Sequence, residues 1–248
     1  MTTLYKLTDP LSQTYDQTQW GGNVTHELPA RDTYQLCSDQ VLHAYVSPEL
    51  AVLMDPVQAN LLPSAILWEA EGDVVIDDGT KVGCTKLTTL KQMPIPTVTL
   101  EQRVTFAIKC ALHVYNEPSW VVWAQAWLAN TNRDADAARA ASYAAYAANA
   151  AANAARAAAD AARAAAYYDA NTEAEAAAYA ANAAAYAAAD AASYAARAAD
   201  AARAASYAAN ASYYAKANAA YAANAAANAA NANANANVAL IAKEVCNV

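Results

Sequence analysis

The most regular pattern in the chain is a row of polar positions inside an alanine-rich tract, residues 137–236. The tract contains no Gly or Pro, and alanine has the highest helix propensity of all residues. The larger side chains recur every three or four residues, about 3.5 on average, which is the spacing of one face of a helix. In most amphipathic helices that face is apolar. Here it carries Tyr, Asn, Arg, Asp and Glu, and the other faces are alanine.

We call this polar row the seam. It consists of three runs: Arg139, Tyr143, Tyr146, Asn149, Asn153, Arg156, Asp160, Arg163 and Tyr167; then Glu175, Tyr179, Asn182, Tyr186, Asp190, Tyr194, Arg197, Asp200, Arg203, Tyr207, Asn210 and Tyr214; and then Tyr221, Asn224, Asn228 and Asn231.

Two arrangements of the seam are open. In the first, which we prefer, the seam faces solvent and the alanine faces pack closely on other helices. In the second, the seam faces the interior of an assembly, where its polar groups bind each other or a ligand. Both require association within one chain or between chains, because an isolated alanine rod exposes too much apolar surface.

One break in the tract is predicted near residues 169–172. Thr172 and Glu175 have the spacing of a capping box, so we expect one helix to end near Asp169 and another to begin after Thr172. The apolar residues 238–241 then predict a small anchor near the C-terminus.

The first part of the chain has the shorter patterns of a mixed α/β domain. Ser47, Pro48 and Glu49 predict a helix start, and we expect that helix to end before Pro56. Asp77 to Gly79 predicts a hairpin turn. The predicted strands are residues 4–7, 33–37, 41–46, 65–71, 74–76 and 81–90.

Two helices are predicted between this domain and the alanine tract. Thr99 and Gln102 form a capping-box pattern that opens a helix through Val114. Pro118 opens another helix, with Trp120, Trp123 and Trp127 spaced along one side.

The expected fold class is therefore an α+β N-terminal domain followed by long alanine-rich α-helices, packed as a helical bundle or coiled-coil-like assembly. The expected domains are a compact mixed α/β domain at 1–97, a helical hub at 98–133, and an alanine-rich helical region at 134–248.

Composition narrows the functional classes. The chain has 248 residues and a net charge of −8, which argues against binding DNA or RNA along a phosphate backbone. No run of large apolar residues is long enough for a membrane span, and the N-terminus lacks a signal-peptide core. The four cysteines have no metal-type spacing and favour a reduced compartment. We expect a cytoplasmic protein that binds no membrane, cofactor or metal.

Several short motifs of the N-terminal part are distinctive. They are Cys37–Asp39, His43–Tyr45, Pro48–Ala51, Trp68–Gly72, Lys81–Cys84, Glu101–Val104 and Trp123–Leu128. On these motifs, the N-terminal two-fifths of the chain resembles an uncharacterised family of phage and bacterial genomes that pairs such a domain with an alanine-rich tail. The resemblance implies a phage or bacterial source and no particular activity.

The seam is the main candidate for ligand binding. Arginine binds phosphate with two parallel hydrogen bonds, and tyrosine stacks on a base, so together they predict a site for a small anionic nucleotide. The alternative is that the arginines only form surface ion pairs with Asp160, Asp190 and Asp200. The candidate residues are Arg139, Arg156, Arg163, Arg197, Arg203, Tyr143, Tyr146, Tyr167, Tyr194 and Tyr207.

Three functions follow from these patterns. The favoured one is a non-catalytic, homo-oligomeric phage-type protein that sequesters a nucleotide immune signal. The second is an ice-binding protein or a purely structural rod, although the tract lacks the regular threonines of antifreeze helices. The third is an enzyme: Glu69 and Glu71, with His43 and Tyr45, faintly resemble the His, Tyr and Glu set of ADP-ribosyltransferases. Enzymatic activity is therefore left open and is not favoured.

Overall fold

The structure, a computed structural model, combines an antiparallel sheet in the first part of the chain with helices after it. It describes residues 2–14, 17–134, 136–138, 140–148, 150, 152–153, 193, 195–209, 215–232 and 237–246. The break predicted at 169–172, together with much of the seam, lies outside these residues. The expected α+β class is confirmed for the described part of the chain.

The sheet contains β1 (Thr2–Thr8), β2 (Val24–Glu27), β3 (Leu42–Ala44), β4 (Ile66–Asp77) and β5 (Val82–Met93). The pairing order is β1-β4-β5-β2, and β3 also pairs with β5. Beyond the end of β3, Tyr45 forms an antiparallel bridge to Tyr5 of β1. The sheet is therefore curled, so that β3 links β5 to the far edge strand.

Local irregularities in the long β4–β5 hairpin accompany this curl. The register shifts between Glu69 and Ala70, and again on both sides of Val74. Such bulges bend a strand and increase its twist. Gly83 allows a close approach at the bend, because a Cβ there would lie 2.7 Å from the Ile76 side chain.

The curl encloses a small core. Its buried residues are Leu4, Trp20, Ala44, Ala70, Val82, Cys84 and Leu87. Lys6 is also buried; its Nζ donates to the carbonyl oxygen of His43 at 2.7 Å and lies 4.9 Å from the centre of the Trp20 ring. Burial lowers the pKa of Lys6 to about 8, because its charged form loses hydration.

The helices of the N-terminal half begin where the sequence predicts. They are α1 (Pro48–Gln58), α2 (Leu100–Leu112) and α3 (Pro118–Leu128). Ser47 caps α1, and the capping box of Thr99 and Gln102 is formed at α2. Glu117 caps α3 by accepting the Trp120 N–H at 2.9 Å.

Three of the local predictions are wrong. Residues 33–37 form no strand, because two of their backbone N–H groups are hydrogen-bonded to side chains. The Cys37 N–H donates to the His43 ring, and the Gln35 N–H donates to the Gln40 side chain. Residues 74–76 are part of β4 and not a separate strand.

Helix α1 also continues past Pro56 to Gln58. Its end is held by buried Asp55, whose backbone carbonyl accepts the Ala59 N–H at 2.9 Å and whose carboxylate accepts the N–H groups of Leu61 and Leu62 at 2.9 and 3.1 Å. These bonds stabilise the helix end three residues later than the proline suggests.

The described alanine-rich helices are α4 (140–148), α5 (195–209) and α6 (Ala215–Ala232), and they are followed by α7 (Val238–Cys246). Helix α6 packs against α1 and α2, and so does α7. The anchor predicted at residues 238–241 is confirmed, since α7 buries Val238, Ile241, Ala242 and Val245.

The alanines of these helices face inward and the seam faces outward. One continuous core joins residues from α1, α2 and α3 to the alanine faces. The buried alanines include Ala141, Ala145, Ala198, Ala199, Ala201, Ala202, Ala205, Ala208, Ala222, Ala223, Ala225, Ala226 and Ala229. Every seam residue whose exposure is described is exposed or half-buried. For these residues the alanine packing is made within one chain, and the seam lies on the side away from that packing.

The alanine faces predict a sharp difference between two substitutions on α5. Ala205→Leu places a large side chain in a fully buried position and is expected to destabilise the protein by about 1–3 kcal/mol through overpacking. Ala195→Leu, at an exposed position of the same helix, is the control and should change stability by less than about 0.5 kcal/mol. Urea unfolding measures both, and equal effects would contradict the inward alanine face.

Candidate functional site

Half of the predicted ligand-binding residues fall in the described part of the chain. Arg139, Arg156, Arg163, Tyr167 and Tyr194 lie outside it. The structure places Tyr143, Tyr146, Arg197, Arg203 and Tyr207, and it brings three of these together.

The three convergent residues are Tyr146 on α4 and Arg203 and Tyr207 on α5. The guanidinium carbon of Arg203 lies 5.8 Å from the centre of the Tyr146 ring. Tyr207 follows Arg203 by four residues and therefore lies on the same helix face. Its ring stands 5.2 Å from that of Tyr221 on α6, centre to centre. We call Tyr146, Arg203, Tyr207 and Tyr221 the Arg–Tyr cluster.

The Arg–Tyr cluster is open to solvent. Tyr146 is 56% exposed and Tyr221 36% exposed, and Arg203 and Tyr207 are half-buried. The cluster therefore presents aromatic surface from three helices beside one cation, a combination suited to a ligand that joins a planar ring to a negatively charged group.

Arg203 also has a partner on its own helix. Its Nη2 donates to the Asp200 carboxylate at 2.9 Å, three residues away. The predicted alternative of an ion pair at helical spacing is thus confirmed for Arg203. A guanidinium has five N–H donors, so one bond to Asp200 does not exhaust its capacity.

The other two described candidates lie apart from these contacts. Tyr143 is 72% exposed and lies one turn before Tyr146. Arg197 is exposed, and its Nη1 donates to the backbone carbonyl of Asn231 at 3.2 Å, at the end of α6. Tyr221 belongs to the third run of the seam, but it is not among the predicted site residues. The sequence does not show that α6 lies beside α5, so the contact of Tyr221 with Tyr207 could not be predicted.

The enzyme hypothesis rests on four residues, and the structure engages three of them, Glu69, Tyr45 and His43, in separate contacts. Glu69 pairs with Lys91 at 3.3 Å, while its strand neighbours Trp68 and Ala70 are buried. Tyr45 is buried, which raises the pKa of its phenol. Its backbone N–H donates to the Tyr5 carbonyl at 2.8 Å, so Tyr45 takes part in strand pairing within the sheet.

His43 is held as a neutral ring. Its Nε2 accepts the backbone N–H of Cys37 at 2.9 Å. Burial, followed by the charges of Lys81 and Lys6, lowers the pKa of His43 to about 4. At neutral pH this imidazole lacks the proton that a general acid needs, and its acceptor nitrogen is already occupied. These contacts favour a structural histidine.

The described residues give no sign of a metal centre or a membrane segment. Among them, no three His, Cys, Asp or Glu side chains are grouped so that they could hold a metal ion. No helix within the described ranges is both long enough and apolar enough to cross a membrane.

Comparison with protein-family models, with curated proteins and with solved structures finds no match to this chain. The resemblance to a phage and bacterial family therefore stays a prediction.

The environment of His43 predicts a pH dependence of stability. The unfolded chain takes up the proton near pH 6.5, but the folded ring does so only near pH 4. Stability should therefore fall as the pH is lowered from about 6.5 to 4. His43→Gln keeps an acceptor for the Cys37 N–H and removes the titration. Urea unfolding at several pH values should show a smaller loss in the variant, and identical pH profiles would contradict the assignment.

Proposed function

We propose that this chain is a non-catalytic binding protein that holds a small anionic nucleotide at the Arg–Tyr cluster. The observation that carries the proposal is the convergence of Tyr146, Arg203, Tyr207 and Tyr221 from three helices on an open surface. In this arrangement the ligand's base stacks on a tyrosine ring, and its phosphate approaches the Arg203 guanidinium.

The energetics support a small ligand better than a polymer. Stacking of a base on an aromatic side chain contributes about 1–3 kcal/mol, and it tolerates any base because every base has a π-face. Arg203 can offer its remaining N–H donors to a phosphate oxygen while it keeps its bond to Asp200, but the nearby carboxylate offsets part of its charge, so the gain from charge is modest. A net charge of −8 repels a long phosphate backbone far more than a single nucleotide.

The proposal extends to the assembly and its biological setting. We propose that the alanine-rich helices form a bundle or coiled-coil-like assembly, that the protein is a homo-oligomer, and that it acts in the cytoplasm. Sequestering a nucleotide immune signal would suit a phage protein of the kind that the N-terminal motifs resemble. The packing of alanine faces against other helices supports this assembly, because small side chains let the axes of neighbouring helices approach closely.

The alternatives have less support. An ice-binding helix needs a regular row of threonines, whereas the described seam presents Tyr, Arg, Asp and Asn. An ADP-ribosyltransferase-like enzyme needs Glu69 or Glu71 to act together with His43, but Glu69 is paired with Lys91 and the His43 ring with Cys37.

Calorimetric titration with adenosine diphosphate tests the proposal. We expect binding that weakens about tenfold in Tyr207→Leu and in Arg203→Gln, because each removes one of the two contacts with the ligand. Arg31→Gln, at an exposed arginine of the N-terminal domain, is the matched control and should bind as wild type does. Light scattering with absorbance at 260 nm on the same peak reports the mass and any co-purified nucleotide. No binding and no excess absorbance would overturn the proposal.

A further inference from the structure

The N-terminal domain brings a thiol and an amine from distant parts of the chain into contact. Cys37 lies in the loop between β2 and β3, and Lys81 lies in the β4–β5 turn, directly before β5. The Nζ of Lys81 is 2.9 Å from the Sγ of Cys37. We call these two residues the Cys–Lys pair. Neither belongs to the Arg–Tyr cluster, so the pair is independent of the nucleotide site proposed above.

The distance between the nitrogen and the sulfur is short. An N–H···O hydrogen bond has a length of about 2.9–3.0 Å, and a bond to the larger sulfur atom is ordinarily longer. The Nζ–Sγ distance of 2.9 Å is therefore close to that of two atoms joined through one bridging oxygen. It is also at least as short as the roughly 3–3.5 Å at which groups are poised to react.

Hydrogen bonds hold both members of the Cys–Lys pair in place. The backbone N–H of Cys37 donates to Nε2 of His43 at 2.9 Å, and His43 is paired with Gly83 in the sheet. The backbone N–H of Lys81 donates to Oδ1 of Asp78 at 2.9 Å. Because the two side chains are already positioned, a reaction between them loses little conformational entropy.

Oxidants reach Cys37 more easily than the other cysteines. Cys37 is exposed, whereas Cys84 and Cys110 are buried and Cys246 is half-buried. Burial raises the pKa of the Cys84 thiol to about 11 and also raises the pKa values of Cys110 and Cys246. Since the thiolate is the reactive form and access is required, oxidation is expected first at Cys37.

We propose that Cys37 and Lys81 form an oxidation-dependent covalent crosslink, in which one oxygen atom bridges Sγ and Nζ. The oxidant is a peroxide. One molecule of hydrogen peroxide converts the thiol to a sulfenic acid and a second converts the amine to a hydroxylamine, each with release of water. The hydroxylamine oxygen then attacks the sulfenic sulfur, and a third water leaves. The thiol and the amine are oxidised, and the two peroxide molecules are reduced.

The crosslink would act as a redox-sensitive lock on the N-terminal domain. It closes the chain between residues 37 and 81, a segment that contains α1, on which α6 and α7 pack. A covalent bridge of this kind stabilises the fold by restricting the unfolded chain. Oxidised protein should therefore unfold at a higher urea concentration than reduced protein, and a thiol reductant should reverse the difference.

Mass spectrometry of the peroxide-treated full chain tests the proposal. Cleavage after glutamate places Cys37 in peptide 28–49 and Lys81 in peptide 72–101. We expect these peptides to be joined, with a mass about 14 Da above their sum, because one oxygen is gained and two hydrogens are lost. A thiol reductant should separate them. Joined peptides that have lost two hydrogens without gaining oxygen would indicate a disulfide to Cys84 and would overturn the proposal.

Two variants and one wild-type control complete the experiment. Lys81→Arg keeps the positive charge but removes the amine, and it should abolish the joined product. Lys86→Arg changes an exposed lysine of the same peptide and should join as the wild type does. Wild-type chain treated with peroxide in urea should oxidise at Cys37 without joining, which covers the case of a misfolded variant. Native chain that oxidises at Cys37 but does not join, or equal joining in urea or in Lys81→Arg, would overturn the proposal.

Discussion

The docking of the alanine-rich helices depends on one buried tryptophan. An alanine face is nearly smooth, so it packs closely but does little to fix where a neighbouring helix lies along it. Trp120 on α3 is fully buried, and its Nε1 donates to the Ala202 carbonyl at 3.2 Å and to the Ser206 hydroxyl at 3.0 Å. This side chain supplies both the volume that the alanines lack and a directional bond to α5. The positions of α5 and of the Arg–Tyr cluster residues it carries follow from it.

Contacts of α7 and of the segment after α3 also join the C-terminal helices to the N-terminal part of the chain. Helix α7 buries its apolar face against α1 and α2, and Lys109 of α2 pairs with Glu244 of α7 at 3.1 Å. The chain after α3 is tied back to α2 by Arg133, which pairs with Glu101 at 2.7 Å and lies over the Trp127 ring. The C-terminal helices are thus packed on the N-terminal part of the chain.

Local sequence signals predicted the helices and most strands well, because caps and residue periodicity act over a few residues. The capping box at Thr99, the helix start at Ser47 and the outward seam are of this kind. The failures involve partners distant in sequence or unusual backbone: β2 was missed, and Cys37 has a positive φ of 60° with its N–H bound to His43. The seam identified Tyr146, Arg203 and Tyr207 as candidates. Their convergence with Tyr221 depends on which helices are neighbours, and no periodicity contains that information.

Hydroxyl-radical footprinting with mass spectrometry measures whether the alanine faces are buried and the seam is exposed in solution. We expect rapid oxidation of the seam residues Tyr143 and Tyr146, which are 72% and 56% exposed, and strong protection of Trp120 and Trp123. Tyrosine and tryptophan both react readily with the radical, so the comparison reports exposure. Protected seam tyrosines would mean that the seam faces the inside of an assembly, and would contradict the arrangement described above.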